Sequence, residues 1–284
     1  MQEPRGRIVG LVHGTEEPVA ELTPFLAELV LGIEEELGET GDAVYITAAR
    51  RGDEERALWD AWIADGSVDA VIMTDASADD DRLDALASLP IPAVLLGGPE
   101  DRREVWHVVV DNAGGARAAA RTLLDLGHRR LARLSGPRQL LHTITRDEAF
   151  IETCREGGAE VALREGDFSE ESGRLAVRAL LGSATPPTAV FCDSDLMALG
   201  ALRACAERGL RVPADISILT WDDTANARLA TPRLGAVTID LHELGRLVGR
   251  AVRSAMDGEA PQLVRAPVPT VRRSGSVAEA PAAG

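Results

Sequence analysis

The chain sets acids at two places where an apolar run gives way to a turn. Asp193-Ser194-Asp195 follows the run 188–192, and Asp222-Asp223 follows 216–221. An aspartate at a strand's carboxyl end can accept hydrogen bonds from two hydroxyls or from a ring N–H. Trp221, just before Asp222, adds a flat apolar face suited to the C–H side of a sugar or to a purine ring. Arg146 brings a planar fork able to donate two parallel hydrogen bonds to vicinal hydroxyls or to a carboxylate. Each residue also has an ordinary reading: Asp222 as a turn cap, Ser194 as a helix N-cap, Arg146 as a solvated helix residue beside Asp147 and Glu148. The chemistry on offer is capture of a polar molecule rather than bond breaking. Asp222 and Asp223 are neighbours at a strand end, so their side chains diverge and cannot readily flank one bond.

The elements that must carry these residues follow a strand–helix rhythm. Runs 7–13, 43–47, 69–74, 93–96 and 105–110 read as strands, with helical stretches at 22–37, 53–64, 79–88 and 115–126. The rhythm restarts with strands at 131–134, 160–163, 188–192 and 216–221, helices at 145–155 and 171–181, and a helix from Asp195 that Gly209 stops. A strand within 232–238 and a helix over 241–256 follow. Strands that are apolar almost throughout are buried on both faces, which means parallel sheets covered by helices. The expected fold class is therefore α/β, with two doubly wound parallel-sheet lobes and a ligand cleft between them. His13 and Asp75 close the first and third strands and are weaker cleft candidates. Trp59, Trp62 and Phe150 sit on helical stripes and read as core. The Ala/Pro/Gly-rich tail 275–284 is expected to be disordered.

Composition excludes several function classes. The 284 residues are 45% hydrophobic and 27% charged, a globular balance. All 30 basic residues are arginine, so Schiff-base, P-loop and lysine general-base chemistries are absent. No nucleophile elbow and no HExxH motif is present, and no enzyme activity is expected. The three cysteines, Cys154, Cys192 and Cys205, form no CxxC pair, and no histidine has a partner at metal spacing. Neither a metal nor a cofactor is expected. A net charge of −16 sets this surface against direct contact with nucleic acid. No run approaches the ~20 apolar residues of a membrane span, and no export leader opens the chain. A cytoplasmic location is expected.

Several sequence words together resemble one family. They are VVDNAGG at 109–115, LGHRRLARLSG at 126–136, Arg146 with Phe150, Ser172-Gly173, and PPTAVFCDSDLMALGAL at 186–202. RGLRVPADISI at 208–218, WDD at 221–223, TPRL at 231–234 and VRRS at 271–274 continue the series in order. The chain resembles the effector-binding core of the LacI/GalR family of bacterial transcription regulators, from about residue 7 to residue 274. The resemblance implies a periplasmic-binding-protein-like type I fold with a three-crossing hinge. It places the N-terminal lobe at 7–128 and 240–258, and the C-terminal lobe at 129–239 and 259–274.

The resemblance also assigns site residues. Arg146 aligns with the arginine that clamps ligand oxygens, and Asp222 with the ligand-binding carboxylate. Phe25 and Phe168 match positions that stack on the ligand, His142 a variable ligand-facing position, and Ser194 a polar position where many relatives carry Asn. Trp221 joins them from its strand end. The implied function is sensing of a small polar effector, a sugar first and a nucleobase or nucleoside second. Operator DNA would be met only through a helix-turn-helix domain outside this chain, in a homodimer. The alternative is an exported sugar-binding protein of the same fold.

Overall fold

The computed structural model describes residues 6–15 and 23–282. In chain order the elements begin with β1 (Ile8–Thr15), α1 (Pro24–Gly38), β2 (Ala43–Arg50), α2 (Asp53–Asp65), β3 (Ala70–Met73), α3 (Arg82–Ala87), β4 (Ala93–Leu96) and β5 (Trp106–Val109). There follow α4 (Asn112–Asp125), β6 (Arg130–Ser135), α5 (Leu141–Glu156), β7 (Glu160–Glu165), α6 (Glu170–Leu180), β8 (Ala189–Cys192), α7 (Asp195–Glu207), β9 (Ser217–Trp221), α8 (Ala225–Leu229) and β10 (Gly235–Thr238). The chain ends with α9 (Leu241–Met256), β11 (Leu263–Arg265) and β12 (Thr270–Arg272). No helix among the described residues is long and apolar enough to cross a membrane.

Two compact units result, and the chain passes between them after Val110, Ile239 and Pro267. The first unit holds a six-stranded sheet in the order β11-β5-β4-β3-β1-β2, parallel throughout. β3 and β4, AVIM and AVLL, are buried at every position, as strands covered on both faces must be. Its core joins Leu29, Ile33 and Leu37 of α1 to Leu244, Val248 and Val252 of α9 over Val9, Leu11, Ile72 and Val94. Trp59 and Trp62 are buried, as their helical stripe predicts.

The second unit repeats the plan. Its sheet runs β12-β10-β9-β8-β6-β7, parallel except for β12, which pairs antiparallel with β10. Val177 and Leu180 of α6 and Met197, Ala201 and Cys205 of α7 cover one face of β6, β8 and β9. Strand order in both units reverses beside the first strand, between β1 and β3 and between β6 and β8. At such a reversal the flanking crossovers diverge, and a crevice opens outside the strands' carboxyl ends.

Three expected boundaries are corrected. α4 belongs to the second unit, not to the first lobe: the division falls after Val110. Its Asn112 side chain bonds to α5, and Leu124 fills the space beside Gly157 at the end of α5. Residues 259–267 belong to the first unit, because β11 pairs with β5 in register Leu263↔His107. The tail is ordered through Ala282; its last two residues lie outside the described range. Ser276, fully buried, accepts from Gly235 N at 2.8 Å and donates to Ile218 O at 2.5 Å. Ala278 O bonds the buried His128 ring at 3.1 Å, and Ala280 N donates to Leu126 O at 2.8 Å. Small side chains let this segment lie against the sheet, where its backbone groups find partners.

Candidate functional site

The carboxyl ends of β6 and β8 flank the second unit's strand reversal, and side chains from four elements meet there. α5 supplies His142, Arg146 and Phe150 at four-residue spacing, one stripe of a helix. Phe150, Phe191 and Trp221 form an aromatic floor, with ring centroids 5.1 Å and 6.4 Å apart. Two arginines lie on that floor. Arg133 of β6 sits 4.6 Å above the Phe191 ring, and Arg146 sits 3.7 Å above the Trp221 ring.

Asp193, at the end of β8, is shared by both arginines. Arg146 Nη1 donates to Asp193 Oδ1 at 2.9 Å. Arg133 Nη2 lies 2.8 Å from the same oxygen as an ion pair without hydrogen-bond alignment. Gly136 N and the Thr143 hydroxyl donate to Asp193 Oδ2 at 3.0 and 3.4 Å. Burial alone would raise the Asp193 carboxyl, but Arg133 and Arg146 hold it well below the usual carboxylate range. Arg133, fully buried, is also fixed by Asp147 Oδ1 at 2.9 Å, and Asp147 by the Ser135 hydroxyl at 2.5 Å. A buried charge is tolerated only when paired in this way. Arg146 Nε donates to Asn112 Oδ1 at 2.8 Å. Its Nη2 makes no hydrogen bond to another described residue.

Asp222 stands beside this array in a different state. Only 8% of it is exposed, and its Oδ1 is buried without a hydrogen-bond partner among the described residues. Burial pushes its carboxyl up to about 7; Arg146 opposes the shift, while Asp195 and Asp193 add to it. Its φ is 68°. The other non-glycine residues with positive φ among those described are Phe168 at 68° and Asp75 at 54°. A side chain in that region costs roughly 1–2 kcal/mol, and such residues concentrate where the fold over-determines a functional geometry.

The remaining candidates fall as follows. Ser194 caps α7: its hydroxyl accepts from Met197 N at 3.1 Å and donates to Phe168 O at 3.0 Å. It thereby also ties down the loop that carries Phe168. Phe168 stacks on His142 with centroids 6.2 Å apart and planes at 25°. Arg146, Phe168, His142, Ser194, Trp221 and Asp222 are thus all at one edge of one unit. Trp221 is 1% exposed, so its ring is covered rather than open. His13 and Asp75 lie at the carboxyl edge of the first unit's sheet, at its own strand reversal. Burial depresses the His13 imidazole, Asp75 opposing and Arg51 adding to the effect. Arg51 Nη2 reaches Gly14 O at 2.8 Å and Asp75 Oδ2 at 3.4 Å. Phe25, in the first turn of α1, packs partly buried against the first unit's core.

Sequence reasoning missed Arg133, Asp147, Thr143 and the pairing role of Asn112. One signal was present. Arg133 interrupts the strand RLARLS between residues that must be buried, and a charge in such a place demands an acid.

The periplasmic binding protein-like domain family matches residues 120–276. The HTH-type transcriptional regulator CelR of Thermobifida fusca is 34% identical over 262 residues, covering 89% of this chain and 76% of that protein. The HTH-type transcriptional repressor PurR of Erwinia tasmaniensis is 32% identical over 84% of this chain and 70% of its own length. A solved transcriptional regulator CelR–cellobiose complex superposes with a TM-score of 0.85 at 31% identity, over 97% of this chain and 86% of that one. These relatives are regulators, which decides between the expectations of regulator, exported solute binder and enzyme. Two mostly parallel six-stranded sheets, a matched domain covering more than half the chain and regulator relatives along most of its length lead to one assignment: the chain belongs to the LacI/GalR family of transcription regulators, as an effector-binding core of periplasmic-binding-protein-like fold.

Proposed function

We propose that this core senses a sugar, gripped at the carboxyl edge of the second unit's sheet by Arg146 and Asp222. The observation that carries the reading is the unpartnered Asp222 Oδ1 beside an arginine whose Nη2 is left over. A sugar hydroxyl donates to the carboxylate, another accepts from the guanidinium, and the sugar's C–H face rests on Phe168. Each polar group then regains a partner that burial removed. The relative solved with cellobiose supports a sugar as effector. His13 and Asp75 are further candidates at the first unit's edge. Closure of the units on the effector, in a cytoplasmic homodimer, is the proposed link to operator DNA through a helix-turn-helix domain. A link of that kind transmits about 1–3 kcal/mol of coupling.

A thermal-shift screen of cellobiose, other di- and monosaccharides, and nucleobases tests the reading. A sugar that raises the melting temperature of the parent, and fails to do so in Arg146→Ala and Asp222→Ala, supports it. A response to nucleobases alone replaces the ligand class. An equal response in parent and both variants removes the site.

A further inference from the structure

We infer that Trp221 is a positioning residue: its buried indole is the bed on which Arg146 is held flat for ligand. The inference rests on Arg146 being a ligand-gripping group, and it gives Trp221 a different task from stacking on the ligand itself.

Three observations lead there. Trp221 is 1% exposed, so a ligand ring has little indole surface to meet. Its near face is taken by the Arg146 guanidinium at 3.7 Å, and the rest of its surroundings include Phe191. The hydrogen bonds of Arg146, Nε to Asn112 and Nη1 to Asp193, hold only two points of the fork. A planar group held at two points can still tilt about the line joining them. Contact with a rigid ring removes that tilt and fixes where Nη2 points. An arginine pre-set in this way loses less freedom on binding than a free one.

The first turn of α4 sets the indole as well as the guanidinium. Asn112 comes from that turn, and so does Gly115. A Cβ at Gly115 would lie 2.7 Å from Trp221 Cη2 and 3.0 Å from the Pro269 Cβ. Side-chain volume at residue 115 would therefore displace the indole and, with it, the plane of Arg146.

The test reads Arg146 directly, without a ligand, in the arginine Nε–H spectrum of the ¹⁵N-labelled chain. Loss of one signal in Arg146→Gln assigns the resonance. In the parent it is shifted upfield of the arginines that lie over no ring by the indole beneath it, as Arg133 is by Phe191. In Trp221→Leu the ring shift is lost in any case, so the reading is the heteronuclear NOE of the Arg146 Nε–H: high in the parent and in Trp221→Phe, it falls in Trp221→Leu as the guanidinium gains freedom, while the Arg133 value holds. Should Trp221→Leu not fold, Trp221→Met, which fills more of the space, replaces it. Gly115→Ala is expected to move the same signal. An Arg146 NOE as high in the Leu or Met variant as in the parent overturns the inference.

Cellobiose is then titrated as the probe. Where the parent binds it, Trp221→Leu weakens binding by up to about tenfold, the cost of ordering one long side chain on binding, while Trp221→Phe, which keeps a ring beneath the guanidinium, binds as the parent does. Parent-like binding by Trp221→Leu overturns the inference. A parent that ignores cellobiose counts against the sugar reading alone, since the spectrum still decides whether the indole orients Arg146.

Discussion

A carboxyl group buried without a partner weakens the protein that carries it, and Asp222 is such a group. Its carboxyl titrates near 7 in the fold against 3.8 for an exposed aspartate. The folded state therefore binds the extra proton between about pH 4 and pH 7. Stability from this group is full below the unfolded value and falls as pH rises through the folded one. Asp222→Asn should match the parent at pH 4 and exceed it at pH 8, by on the order of 4 kcal/mol, in chemical melts across that range. A constant difference at every pH would mean that the carboxyl is not held this way. A ligand hydroxyl that satisfies Oδ1 relieves the same penalty, so the group suits a binding site better than a scaffold. The sequence showed Asp222 at a strand end and Arg146 on a helix, and the family resemblance nominated them. It could not show that Asp193 would be consumed by Arg133 and Arg146 while Asp222 was left over. That distinction depends on which acid the buried arginines reach.

Elements were legible where a local pattern decides them, and less so where a choice among neighbours does. Continuous apolar runs marked β3, β4, β8 and β9, and an acid or serine after the strand marked the start of α7. The allegiance of α4 was not legible. Its apolar stripe says which face is buried, but not whether the first or second sheet will cover it. The tail misled because its composition lacks bulk, whereas its order comes from backbone and hydroxyl bonds such as those of Ser276. Ser276→Ala leaves the buried Gly235 N–H without its acceptor and should cost about 1–3 kcal/mol, seen as a lower urea midpoint at unchanged slope. An unchanged midpoint would mean that the tail adds nothing. α6 and α7 meet closely at Gly200, where a Cβ would lie 1.9 Å from Glu170 O. Gly200→Ala must push the helices apart and is expected to destabilise by on the order of 3 kcal/mol, measured by the same melts.

For the whole molecule, the family is established and the effector is the open term. Each unit places its strand reversal, and the polar residues around it, at one sheet edge. That repetition follows from two runs of the same strand–helix rhythm, so the sequence showed it early. A ligand that binds the folded chain raises its stability by mass action, by about 2.7 kcal/mol at one hundred times its dissociation constant. The increment must vanish when the groups that grip the ligand are removed, whatever those substitutions do to stability alone. Calorimetric titration of cellobiose into the parent, Arg146→Ala and Asp222→Ala is the most direct measurement. A saturable heat in the parent that is lost in both variants is the predicted result; equal heats in all three chains would contradict the site.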